Sequence, residues 1–239
     1  RVIFAQHEMS TTLDNKKPVL AVSLLGMGDL LMCTPALRLI KEFLVDTPFG
    51  LLCSKAFAGL VEGNPHVEHV HTLDKNAFFP RWRLNRELKA QEYGQVLIFG
   101  PFKKGLFQPG RVGIPERHCH VLRFVGADVK VRHLSLQALD FAAELLGTTT
   151  PSYFPELFPS PEDEKSARKL LPPSLRDGSL PFLAIHVGNA SFRRPWFGRP
   201  RLSFRSWPLE RWQECLGLLL SALPHPVVLP GSAEEGRFR

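Results

Sequence analysis

Two glycines and a carboxylate, Gly26, Gly28 and Asp29, stand between the apolar run PVLAVSLL and a stretch with helical spacing. They sit where a strand hands over to a helix. In open α/β sheets, ligands bind outside the carboxyl ends of the strands. Glycines at such a corner let the backbone approach a ligand closely and adopt positive φ. A carboxylate there can cap the helix, hold a sugar hydroxyl or act as a general base. On residue types alone, capping is the favoured role for Asp29. The stretch is not the dinucleotide fingerprint: Leu31 replaces the third glycine, and no suitable acid ends the second strand.

A second set of candidates runs from His186 to Trp207. It leaves the end of a strand and reaches a helix that starts near Trp207-Pro208. Helix N-termini and loop amides bind phosphate, and Arg205 beside that terminus suits bidentate phosphate contact. Asn189, Ser191 and Arg193 can add hydrogen bonds. A solvated basic loop is an equally open reading. The third set is LPGSAEE, where Glu234 or Glu235 could hold a ribose hydroxyl or merely face solvent. Three histidines, His66, His69 and His71, lie around one short strand, and His118 and His120 form a second pair. His69 and His71 share a face at period 2, which is not compelling metal geometry with no acid or cysteine fixed nearby as a partner, and the second pair has the same problem, so no metal site is expected. No Ser–His–Asp order, P-loop or zinc motif is present.

The elements that position these residues alternate. PVLAVSLL (Pro18 to Leu25) is continuously apolar, as a parallel strand buried on both faces must be. Thr34-Pro35 reads as a helix start, an N-cap followed by a first-turn proline. FGLLCSK, VEHVHTL (Val67 to Leu73) and QVLIFG (Gln95 to Gly100) read as further strands, and GRVGIP as a fifth. RWRLNRELKAQEY is a charged helix. HLSLQALDFAAELLG (His133 to Gly147) is a strong helix with a C-terminal glycine. TTTPSYFPELFPSPEDEK then reads as a proline-rich linker. After it the pattern restarts: FLAIHVG (Phe182 to Gly188) as a strand, WPLERWQECLGLLLSAL as a helix and HPVVLPG (His225 to Gly231) as a strand. Repeated strand–helix units predict an α/β fold with parallel sheets. The expected division is a flexible segment over 1–16, a first domain over 17–150, a linker and connecting helix over 151–180, and the start of a second domain over 181–239.

The 239 residues suffice for one large domain or two small ones. No apolar run approaches the roughly 18 residues that span a bilayer, and no secretory pattern opens the chain. Four cysteines without a CxxC pair fit a reduced compartment. These features read as a soluble, intracellular protein. The net charge of +7 suits an anionic partner: nucleic acid, an acidic membrane face or a phosphorylated substrate. RRPWFGRPRLSFR (Arg193 to Arg205) carries five arginines and no acid. The chain stops at GSAEEGRFR, just after an apparent strand, which reads as a fragment.

Taken in order, SLLGMGDLLMCTPALRLIKE, HLSLQALDFAAELLG, LAIHVGNAS and RSWPLERWQECLGLLL…HPVVLPGSAEE resemble the heptosyltransferases, the ADP-heptose:lipopolysaccharide transferases of glycosyltransferase family 9. The resemblance runs from about Pro18 to Glu235. It implies a GT-B fold of two Rossmann-like domains, the second cut short here. It implies a metal-independent, cofactor-free inverting transfer of heptose from ADP-heptose to the lipopolysaccharide inner core. By the same resemblance Asp29 is the general base, and Gly26 and Gly28 clear space for sugar and phosphate. The donor loop matches Gly188 to Arg205, including Asn189 and Ser191, with Arg205 in place of the family's usual lysine. Glu235 matches the ribose-binding acid. The loop from Asn189 to Phe204 is long and arginine-rich for the family, and the family's later Asp-x-Gly-x-x-His segment has no counterpart before Arg239. These departures imply weak donor binding and doubtful turnover for this chain. The implied site of action is cytoplasmic, with the inner face of the inner membrane open to peripheral contact, and no specific nucleic acid is expected. The alternative is a non-catalytic α/β module that holds nucleic acid or an anionic glycan through Arg193–Arg205, whose aromatics interleave with arginine.

Overall fold

The computed structural model describes residues 13–74, 81–100, 107–122, 133–186, 207–223 and 225–231. The apolar run after Lys17 forms β1 (Val19–Ser23), buried along its whole length. Its neighbours β2 (Phe49–Ser54) and β4 (Gln95–Phe99) are equally buried. Continuous burial needs cover on both faces, which is why these three read as unbroken apolar runs. β3 (His69–Leu73) and β5 (Cys119–Leu122) are the edges of a five-stranded, wholly parallel sheet of order β3-β2-β1-β4-β5.

Side chains alternate across the sheet. Val19, Ala21, Phe49, Leu51, Cys53, Leu97 and Phe99 share one core with Leu30, Cys33, Leu37 and Ile40 of α1 (Met27–Phe43) and with Ala138, Leu139, Ala142 and Leu146 of α3 (Leu134–Leu146). Leu20, Val22, Leu52, Val96 and Ile98 share the other with Leu84 and Leu88 of α2 (Arg81–Ala90) and with Val112 of a short 3-10 turn, Pro109–Val112. Helix α3 ends as expected: Gly147 takes φ 64°, and the amides of Gly147 and Thr148 donate to Glu144 and Ala143. This is the Schellman closure that glycine favours.

Two expectations fail here. GRVGIP is no strand: Gly113 adopts φ 90° and closes the 3-10 turn, so the segment cannot stay extended. The fifth strand is Cys119–Leu122, too short and too mixed in polarity to stand out. Nor does α1 start at Thr34-Pro35. It starts at Met27, and Pro35 lies inside it. A mid-helix proline leaves the carbonyl four residues back without its amide donor. That carbonyl belongs to Leu31, and the buried Thr34 hydroxyl donates to it at 2.8 Å. The same hydroxyl accepts the Glu156 amide at 3.0 Å.

The proline-rich stretch is laid on the first unit there. The Arg38 guanidinium pairs with Glu156 at 2.9 Å and lies 4.3 Å from the Tyr153 ring centre. The Tyr153 hydroxyl donates to Glu42, and Phe158 meets His66 edge-on. The chain divides into two units between Ser160 and Pro161. The second holds α4 (Pro161–Leu170), with acids in its first turn and Arg168 and Lys169 in its last, as the helix dipole favours. It continues through β6 (Leu183–Ala184), α5 (Leu209–Ala222) and β7 (Val227–Val228), with β6 and β7 paired in parallel.

Candidate active site

β1 ends at Ser23, and four residues later α1 is under way. β1 is followed in the chain by its neighbour β2 on one side, and the chain crosses to β4 on the other only after β3. Strand order reverses between β1 and β4, which makes their carboxyl ends the switch point where open α/β sheets bind ligands. Gly26 and Asp29 mark the β1 end. Gly100 marks the β4 end, with φ 107°, a conformation that costs an ordinary side chain dearly. Sequence reading passed over Gly100, although it closes the run QVLIFG.

The corner is held from within. The Gly26 amide donates to Asp29 Oδ2 at 3.0 Å, and the Gly26 carbonyl accepts the first helical bond, from the Leu30 amide, at 3.0 Å. This is the return half of a capping box, satisfying an amide that the helix start leaves unpaired. Asp29 thus performs the capping role that residue types favoured. Gly26, Met27 and Gly28 are exposed and Asp29 is half-buried.

The glycines work differently from expectation. Gly26 has φ −77° and Gly28 lies within α1, so neither uses the left-handed region. Their smallness matters instead. A Cβ on Gly26 would stand 3.2 Å from Asp29 Oδ2, and one on Gly28 would meet nothing within 4 Å. Gly26 therefore protects the carboxylate's seat, and Gly28 leaves the helix surface beside it low.

Beneath the corner, the Cys33 thiol donates to the Asp29 carbonyl at 3.2 Å, near the buried Ser23 hydroxyl. Burial pushes the thiol up to about 12, so it stays protonated and serves as a donor, not a nucleophile. Among the described residues, no group of three or more His, Cys, Asp or Glu side chains could hold a metal ion. His71 is buried between Glu87, on its Nδ1, and the Tyr93 hydroxyl, 2.8 Å from its Nε2. Its ring meets Tyr93 edge-on, and Tyr93 belongs to the core on the α2 side of the sheet. Gly188, Asn189, Ser191, Arg193, Arg205, Glu234 and Glu235 lie outside the described residues, as does the whole Arg193–Arg205 loop.

No protein-family model and no curated protein matches the chain. Solved structures do. A family 9 glycosyl transferase from Veillonella parvula superposes over 93% of this chain with a TM-score of 0.69 at 16% identity. E. coli ADP-heptose lps heptosyltransferase II superposes over 92% with a TM-score of 0.63 at 19% identity. E. coli heptosyltransferase WaaC, solved with ADP-2-deoxy-2-fluoro heptose, superposes over 92% with a TM-score of 0.58 at 20% identity. The fold is the GT-B fold of these transferases. This chain spans 64% of the Veillonella chain and 66% and 71% of the two E. coli chains. Among the described residues, no helix is long and apolar enough to cross a membrane.

Proposed function

We propose that this chain belongs to an inverting glycosyltransferase of the heptosyltransferase type, with Asp29 as its general base. One observation carries the reading: in a fold shared with heptosyltransferases, a half-buried carboxylate sits at the strand-order switch with one oxygen tied to the Gly26 amide. That bond fixes the side chain's rotamer. It leaves the other oxygen to accept a proton from an acceptor hydroxyl within hydrogen-bond reach. As the hydroxyl oxygen forms its bond to the sugar's anomeric carbon, the bond to the departing phosphate breaks on the opposite face. The proton goes to Asp29, and ADP leaves.

The donor is ADP-heptose, the acceptor an inner-core sugar of lipopolysaccharide, and the reaction uses no metal or cofactor. Gly188, Asn189, Ser191 and Arg205 hold the diphosphate, with Arg205 balancing the charge that builds on the leaving group. Glu235 holds the ribose. The work is done in the cytoplasm. These roles extend the reading from the resemblance of the motifs.

The test is ADP release in the protein expressed from its whole reading frame, with ADP-heptose and a lipopolysaccharide-core acceptor. Asp29→Asn should cut turnover by about a hundredfold or more while ADP affinity holds. Arg205→Ala should weaken ADP binding. Undiminished turnover in Asp29→Asn would end the base assignment, and unchanged ADP affinity in Arg205→Ala would end that of the cation.

A further inference from the structure

Thr34, Arg38 and Glu42 are spaced four apart on α1, so they form one stripe along the helix. Residues 153–158 lie on that stripe. The Tyr153 hydroxyl donates to Glu42. The Arg38 guanidinium stands over the Tyr153 ring and pairs with Glu156 at 2.9 Å. The Glu156 amide donates to the Thr34 hydroxyl at 3.0 Å. Further on, the Phe158 carbonyl passes so close to Gly63 that a Cβ there would stand 2.5 Å from its oxygen. The seating is incomplete. Glu156 Oε2 is buried and makes no hydrogen bond among the described residues, and His66 Nε2, 3.7 Å away, is beyond hydrogen-bond distance. The buried Asn64, whose Oδ1 accepts the His66 amide at 2.9 Å, leaves its Nδ2 without a partner there too. Buried groups without partners oppose the closed arrangement, and water satisfies them once the stretch lifts.

We propose that residues 153–158 are a detachable strap whose seating is coupled to the first turns of α1, the turns that carry Asp29. The coupling runs through Thr34. Pro35 leaves the Leu31 carbonyl without its helical donor, and the Thr34 hydroxyl supplies one at 2.8 Å. While that hydroxyl accepts the Glu156 amide, its own proton is aimed at Leu31. In a chain of hydrogen bonds each member polarises and strengthens the next. Lifting the strap frees the hydroxyl to turn to water and weakens the helix two residues after Asp29. Seated and lifted are the two discrete arrangements that coupling between distant groups needs. The strap runs into Pro161, the first residue of the second unit, so the network joins that unit's point of attachment to the helix that carries Asp29. The inference stands apart from the transferase reading, since it needs no catalysis.

The experiment is amide hydrogen exchange of the 239-residue chain, read residue by residue at Glu156 and over residues 30–33. Gly63→Ala crowds the strap at Phe158 and alters no residue of α1. It should speed exchange at Glu156 about tenfold, the scale of one hydrogen bond. Over residues 30–33 it should speed exchange about twofold to threefold, the smaller share that a polarised neighbour carries. Arg38→Met, which removes the pair with Glu156, should act in the same direction at both places. Lys41→Met takes a charge from the same helix, but its partner is Glu68, and both readings should stay as in the parent. Thermal melts establish that the three variants fold. Faster exchange at Glu156 with residues 30–33 unmoved would overturn the coupling. Unmoved exchange at Glu156 in Gly63→Ala and Arg38→Met would overturn the strap itself. So would equal changes in Lys41→Met, which would mark a general loosening of α1.

Discussion

Both units of the chain read alike along the sequence, as strand, helix and strand, yet they differ in what burial makes of that pattern. In the first unit β1, β2 and β4 are buried residue by residue, and helices or turns cover both faces. In the second, β6 and β7 have two residues each, none fully buried, and Leu218, Leu220 and Leu223 at α5 and its end are exposed. An apolar pattern fixes a local conformation. Only a sheet with both faces covered converts it into close packing, where one methyl group is felt. The corner with Asp29 belongs to the packed unit, and this gives its geometry a rigid support.

The largest expected effect tests that packing. Gly50 on β2 faces the Tyr93 ring, and a Cβ there would stand 1.9 Å from the phenol oxygen and 2.7 Å from the ring carbon that bears it. The ring is held by His71 and buried, so it has little room to retreat. Gly50→Ala should destabilise the first unit by about 3 kcal/mol, at the upper end of overpacking. Urea unfolding measures it. Adding Tyr93→Ala should give a double variant less destabilised than the sum of the two singles, because the groups touch. Strict additivity would mean that the ring and β2 are not in contact, and the contrast between the units would weaken.

Next in size is the joint between α1 and the stretch around Glu156. Thr34→Val keeps the shape but removes the hydroxyl that serves the Leu31 carbonyl and the Glu156 amide. Leaving buried groups unpaired costs about 2 kcal/mol, and Thr34→Ser should recover most of it. A Thr34→Val protein as stable as its parent would show that both groups find other partners.

How much of this could be read beforehand depends on how many neighbours each decision needs. β1, β2 and β4 and helices α3 and α5 were legible because apolar runs, helical spacing and Gly147 act locally. The start of α1 was not. Thr34-Pro35 has the local signature of a helix start, and only its contacts with Leu31 and Glu156 show how a helix carries that proline in its interior. β5 was missed because an edge strand of four residues has little pattern to show. His71 looked like part of a histidine cluster, and only Glu87 and Tyr93, which approach from α2 and the stretch beyond it, reveal a packing role. The Asp29 corner was legible as a strand-to-helix turn, but its partner Gly100 became meaningful only once β4 was found beside β1.

The smallest expected effect carries the opposite sign and probes the second unit. Gly217 lies exposed inside α5, and a Cβ there would meet nothing within 4 Å. A glycine in an open helix costs about 0.5–1 kcal/mol relative to alanine, mostly through the freedom it gives the unfolded chain. Gly217→Ala should therefore raise amide-exchange protection in α5 by about twofold to fivefold, the equivalent of that energy. The same change of glycine to alanine would then weaken one unit and strengthen the other, with the sign set by whether a neighbour occupies the space. Should Gly217→Ala lower protection instead, that side of α5 must lie against a surface, and the two units would be alike in packing after all.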